Sequence, residues 1–271
     1  MPVRALEALC LLTVAWLTCF AGPASAAQIE RIDVSGTQFL VTMSDGSTLT
    51  SRDLVGAVLT LANGAKLRID GVEVDPDNDA GDVLLHKISI EAADGSRREF
   101  CKPDPDGKML AFPLAGNMRP DGSIVERSGS FQIVCTSGAQ GKCIRFGYKP
   151  WLDDRNGRAM LDYYNACVRM VRADYCGDGT ATTRDGTLIN LYDQIGIQAD
   201  EALPGMQFEA GWSGYGATCI ARVRIPKNVS LDQLVRSCPR LSDIPLGNEC
   251  TEAVARGNPE TLLFDSSFPV R

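Results

Sequence analysis

The sequence predicts an α+β protein: a β-rich N-terminal meander or small barrel, then a disulfide-rich part with two or three helices packed on a small antiparallel sheet. Three observations lead there. The turn dipeptides Asp45-Gly46, Asn63-Gly64 and Asp94-Gly95 each lie between two short alternating runs, which is the pattern of a tight hairpin. One strong 3.6-residue stripe follows at residues 161–171, marking a helix with one apolar face. Eight cysteines lie from Cys101 to Cys250, an even number that an exported chain uses for up to four bridges.

A leader precedes these elements. Arg4 gives a basic start, Ala8 to Ala21 is mostly apolar, and Ala24-Ser25-Ala26 or Ser25-Ala26-Ala27 offers the small residues that a signal peptidase reads. The apolar run is about 14 residues, shorter than the roughly 20 that span a bilayer. Residues 1–27 are therefore expected to leave as a signal peptide, taking Cys10 and Cys19 with them. Thr18 stands before Cys19 where a lipobox wants Gly, Ala or Ser, which speaks against a lipoprotein. The expected location is secreted or periplasmic, with no transmembrane segment in the mature chain. Arg4 and Glu7 leave together, so the net charge stays at −7. An acidic chain without a basic run excludes nucleic acid and anionic membrane surfaces as partners.

The β-rich domain is expected over residues 28–127. FLVTM pairs with STLTS, VLTLA with AKLRI, and KISIEA with SRREFC, each pair closed by one of the three turns. Alternation buries one face of each strand, so this sheet needs a partner layer. The disulfide-rich domain is expected over residues 128–271 and opens with the strand FQIVC. Thr136 or Ser137 can cap a first helix carrying Ala139, Cys143 and Phe146, with Gly147 and Pro150 as its stop; a glycine-rich loop closed by Cys135 and Cys143 is the competing reading. In the second helix Leu161, Tyr164, Cys167 or Val168, and Val171 form the apolar stripe. Asp162, Asn165, Arg169 and Arg172 form the polar one, and the helix ends near Ala173 or Asp174. LINLYD, MQFEAGW and ATCIARVRI read as strands, and Ser230 caps a last helix, LDQLVRSC. The tail after Cys250 has little pattern. Cys167 lies mid-helix and Cys176 beyond its end, so the two are expected to bridge to different partners.

The stretches CTSGAQGKCIRFGYKPW, ACVRMVRADYCGDGTATTRDGTLINLYD and FEAGWSGYGATCIARVR resemble the pattern of bacterial ADYC-domain proteins, over about residues 131–225. The resemblance implies an exported protein with paired cysteines and assigns no catalytic residue. All eight cysteines, Cys101, Cys135, Cys143, Cys167, Cys176, Cys219, Cys238 and Cys250, are expected in disulfides. The pairs expected by name are Cys135 with Cys219 and Cys238 with Cys250.

Candidate chemistry is sparse. Zinc lacks a CxxC pair, and the lone histidine, His86, sits in an alternating strand far upstream of any nucleophile. Asp174, Asp178, Asp185 and Asp193 gather within twenty residues beside Arg169 and Arg172. They form the candidate binding cluster, read foremost as a clamp in which arginines neutralise aspartates. The alternatives are a secreted hydrolase using a carboxylate pair and a calcium-binding module. The loop DPDNDAGD puts Asp75, Asp77 and Asp79 at EF-hand spacing, but Ala80 and His86 break that pattern, leaving a solvated loop with calcium as the alternative. Catalytic residues, metal ligands and a cofactor are expected to be absent. Tyr148, Trp151, Tyr163, Tyr164, Trp212 and Tyr215 are either core or a sugar-binding face. The function expected is an exported, non-enzymatic binding or structural module, with a cell-envelope component or a carbohydrate as ligand.

Overall fold

A computed structural model describes residues 27–270 except 62–63, 79, 93 and 155–156. Residues 1–26 of the expected leader, Asn63 of the second turn dipeptide and Asp79 lie outside the described residues. The first strands are β1 (Ile29–Ser35), β2 (Gln38–Met43) and β3 (Thr48–Thr50), an antiparallel meander. Then come β4 (Val58–Thr60), β5 (Lys66–Val74), β6 (Leu84–Glu91), β7 (Arg97–Glu99), β8 (Leu110–Ala115), the short pair β9 (Asn117–Met118) and β10 (Ile124–Val125), and β11 (Phe131–Cys135). The second sheet runs β11-β8-β6-β5-β4, with β7 also on β6. The three hairpins form where the turn dipeptides place them: β2 with β3, β4 with β5, and β6 with β7.

β11 is an edge strand of this sheet, paired with β8 in register Phe131 to Ala115. The sheet thus crosses the boundary drawn at 127/128. It is covered on both faces. Ile69, His86 and Phe131 face the meander, where Phe39 sits edge-on to both His86 and Phe131. Leu85, Phe112, Leu114 and Val134 face the helices on the other side.

Two helices form the next layer, α1 (Ala139–Arg145) and α2 (Met160–Arg172). α1 begins at Gly138, without the expected Thr136 or Ser137 cap. The Thr136 hydroxyl instead bonds the Leu110 carbonyl, 3.1 Å away. Gly141 weakens helix propensity but is required, since a Cβ there would meet the Cys135 carbonyl oxygen at 2.2 Å. α2 lies between two sheets and buries eight of its thirteen residues, Arg169 included at 1 % exposure. This corrects the expectation of a polar stripe through Arg169. Tyr164, Cys167, Val168 and Met170 are fully buried, Val168 and Met170 contributing roughly 1.5–3 kcal/mol each.

The last sheet contains β12 (Ile189–Asp193), β13 (Gln207–Ser213), β14 (Gly216–Ile220) and β15 (Leu263–Ser267), with α3 (Leu231–Ser237) and α4 (Glu252–Gly257) alongside. Its order is β12-β15-β13-β14, all antiparallel. α3 starts at Ser230 as expected, with Gln233 completing a reciprocal cap. Two expectations fail here. The strand from residue 217 ends at Ile220, and the tail thought patternless supplies α4 and the central strand β15. Four helices stand where two or three were expected, counted among the described residues.

All eight cysteines pair, as Cys101–Cys135, Cys143–Cys167, Cys176–Cys238 and Cys219–Cys250, with Cα separations of 5.5–5.9 Å. The expected pairs Cys135–Cys219 and Cys238–Cys250 do not form. Cys135 lies in the central sheet beside Cys101, whereas Cys219 lies in the last sheet beside Cys250. Cys167 and Cys176 do bridge to different partners, α1 and the end of α3. Loops of 24–62 residues stabilise by roughly 3–4 kcal/mol each in the chain-entropy view. Four such bridges fit a chain folded outside a reducing compartment. No helix of the described residues is long and apolar enough to cross a membrane.

His86 is fully buried between the first two sheets, and neither ring nitrogen has a hydrogen-bond partner among the described residues. Burial lowers its pKa from 6.5 to about 4, opposed in part by backbone groups of Ala111 and Leu84. Between those pH values the unfolded chain takes up a proton that the fold refuses, so stability falls as the pH falls through that window, by about 3 kcal/mol in all. Urea denaturation at pH 7 and pH 4 should show this loss in the parent and a smaller one in His86→Phe. Equal losses in both would place the acid sensitivity elsewhere.

Candidate functional site

The segment from Arg169 to Gly179 joins α2 to the last sheet, and each residue of its Ala-Asp-Tyr-Cys run has a separate task. Ala173 ends the helix in a left-handed conformation with φ 48°, a position that usually takes Gly or Asn. It is fully buried, so only a small side chain fits. Asp174 is also fully buried; it accepts the Arg169 guanidinium at 2.7 Å and the amides of Gly177 and Gly179 at 2.9 Å each. Cys176 forms the bridge to Cys238. Gly177 has φ 77°, and a Cβ there would lie 1.9 Å from the Tyr215 carbonyl oxygen, so the turn and the β13–β14 hairpin touch backbone to backbone.

Tyr175 enters a buried polar network. Its hydroxyl donates to Glu209 at 2.7 Å and accepts the Arg224 amide at 2.7 Å. The Arg224 guanidinium reaches Glu209 at 3.0 Å and Asp265 at 2.8 Å. It also donates to the carbonyls of Met170 and Val171 in the last turn of α2, where helical carbonyls run short of amide partners. Trp212 donates to Asp265 at 2.7 Å, and Ser267 to Glu209 at 2.6 Å. All four carboxylate oxygens therefore accept hydrogen bonds. Burial and the neighbouring Glu209 carboxylate push Asp265 upward, against the pull of Arg224 and Trp212. Burial and the Glu209 carboxylate likewise raise the Tyr175 phenol. The strand after Ile220 breaks off where Arg224 turns inward to these partners.

The predicted cluster is dispersed. Arg169 meets Asp174 and also Asp121, at 3.1 Å from its carboxylate. Arg172 pairs with no carboxylate among the described residues and donates to the Gly179 carbonyl. Asp178 is exposed and accepts its own turn's Thr180 amide. Asp185 is exposed at a turn. Asp193 accepts the amides of residues 195–198 and the Tyr148 hydroxyl. None of the four aspartates lines either cleft described below.

The loop after β5 is a second correction. Asp75 is 1 % exposed rather than solvated. Arg145 of α1 binds it at 2.8 Å, contacts Asp77, and lies 3.8 Å from Asp104, while Lys149 binds Asp82 at 2.5 Å. A guanidinium thus stands where the calcium alternative would put the ion. Among the described residues no group of three or more His, Cys, Asp and Glu is arranged to hold a metal.

Sequence reasoning missed Glu209, Arg224, Asp265 and Asp121. The signal was present for Glu209 and Asp265: a lone charge inside an apolar run, as in FEAGW and LLFDSSF, is either exposed or paired in the core.

Two clefts open beside this assembly. One of about 480 Å³ lies between β10, the start of α2, the β13–β14 hairpin and the loop before β15, and Arg169, Gly177 and Tyr215 line it. The other, about 320 Å³, lies between the meander and α2 and includes Trp151. Asn165 fixes the boundary between them, its side chain bonding both the amide and the carbonyl of Ile124 at 2.9 and 3.1 Å.

A family model described as the ADYC domain matches residues 51–226. The chain belongs to the ADYC-domain family. The match reaches further upstream than the resemblance seen at 131–225, taking in every strand of the central sheet. It stops before β15, which supplies Asp265 to the ADYC tyrosine's network. No curated protein and no solved structure matches the chain.

Removing the central cation tests this arrangement. Arg224→Met strands two buried carboxylates and should cost about 3–5 kcal/mol in urea denaturation. Asp178→Ala should cost about 0.5 kcal/mol or less. A loss at Asp178 as large as that at Arg224 would contradict these assignments.

Proposed function

We propose that this ADYC-domain protein is an exported, non-enzymatic binding or structural module, secreted or periplasmic, with residues 1–27 as its leader. One observation carries the reading: the four aspartates of the 174–193 cluster, the carboxylates a hydrolase was expected to use, do not converge on a cleft. Asp174 is sealed beneath Arg169 and two amides, and Asp193 is held by a ring of backbone donors. Asp178 and Asp185 stand apart in exposed turns. A glycoside hydrolase needs two carboxyl groups facing each other across a cleft, and these four do not share one. The four disulfides support folding in an oxidising compartment.

The double variant Asp178→Asn with Asp185→Asn removes the two exposed carboxylates without touching the buried ones. It should keep the parent's stability within about 1 kcal/mol and the parent's behaviour toward candidate substrates. A hydrolytic turnover present in the parent and lost in this variant would replace the module with an enzyme.

A further inference from the structure

The cleft of about 480 Å³ has a lining that selects for one kind of ligand. Three arginines, Arg119, Arg158 and Arg169, and three carboxylates, Asp121, Asp162 and Glu260, line it together. The charges balance, so neither a phosphorylated or sulfated ligand nor a polycation meets a complementary field. Guanidinium groups only donate hydrogen bonds and carboxylates only accept them. A wall holding both suits a ligand whose groups do both, as a hydroxyl does.

Tyr215 supplies the apolar half of the recognition. Its side chain is 80 % exposed at the tip of the β13–β14 hairpin, an unusual place for a large ring. The tip is rigid: the Tyr215 amide donates to Ser213 Oγ at 3.2 Å, and Gly177 packs directly on the Tyr215 carbonyl. A ring held out in water by a fixed turn offers a flat face that needs no further ordering on binding. The C–H face of a pyranose packs on such a ring while its hydroxyls reach the polar wall.

The second cleft extends the path. Ile124 and Leu161 line both clefts, and Trp151 lies in the farther one. One aromatic residue in each of two adjoining clefts fits a chain of several sugar units. We propose that this groove binds an uncharged, hydroxyl-rich oligosaccharide, with Tyr215 as its stacking platform and Arg119 and Asp162 as hydrogen-bonding partners. The assignment rests on the module reading above and gives that module a site and a ligand class.

The test uses the disulfide-intact mature protein on an array of neutral, sulfated and phosphorylated oligosaccharides and short peptides, followed by titration calorimetry with the best neutral binder. A neutral oligosaccharide should bind, with little change on raising the salt concentration. Tyr215→Ala should weaken it at least about tenfold, and Arg119→Gln should weaken it as well, both at an unchanged melting temperature. No neutral binder on the array, a preference for charged glycans or for peptides, or undiminished affinity in Tyr215→Ala would each overturn the proposal. Shortening of the oligosaccharide during the titration would instead overturn the non-enzymatic reading and leave the groove assigned. Absence of binding removes the groove's role and leaves the module reading standing.

Discussion

The carboxylate of Asp174 is the constraint on which the rest of this ADYC domain depends. It is fully buried and holds three donors at once: the Arg169 guanidinium and the amides of Gly177 and Gly179. A carboxylate in so dry a place is tolerable only with a paired cation and satisfied oxygens. Because its donors come from α2 and from the turn beyond it, the pairing sets the angle at which the chain leaves the helix. That angle brings Gly177 against Tyr215 and sends Tyr175 inward toward Glu209.

A second buried ion group lies one layer further in. Arg224 joins the last turn of α2 to β13 through Glu209 and to β15 through Asp265. Such a group contributes little net stability compared with an apolar core of equal volume. Its effect is geometric, because only one arrangement of α2, β13 and β15 satisfies every donor and acceptor. Disulfides then tie the outlying segments to this centre, with Cys143–Cys167 fixing α1 and Cys176–Cys238 fixing α3. The exposed hairpin tip at Tyr215 stands on this framework.

Local features were legible in the sequence and distant ones were not. The Asp-Gly and Asn-Gly turns announced three hairpins because turn type follows from two residues. The end of α2 was readable because glycines follow its last basic residues. β15 was not readable as a strand: LLFDSS is a short run with one charge in it, and the partners of that charge, Trp212 and Arg224, lie forty or more residues earlier. Cysteine partners were equally hidden, since bridging depends on which sheets stack. Within the 174–193 cluster Asp174 meets Arg169, five residues away, whereas Asp193 is held by the amides of residues 195–198 and the distant Tyr148 hydroxyl. The expected arginine pairings with Asp178 and Asp185 did not form, because Arg172 and Arg184 are engaged by the Gly179 carbonyl and by Asn228.

If Asp174 and Arg169 are the pair that holds the ADYC turn, their contributions to stability cannot be independent. A double-mutant cycle with Asp174→Ala and Arg169→Met, read by urea denaturation, measures that dependence directly. Each single change should cost about 3 kcal/mol or more, and the double change should cost about 2 kcal/mol less than their sum. Additive losses, within about 0.5 kcal/mol, would contradict the account.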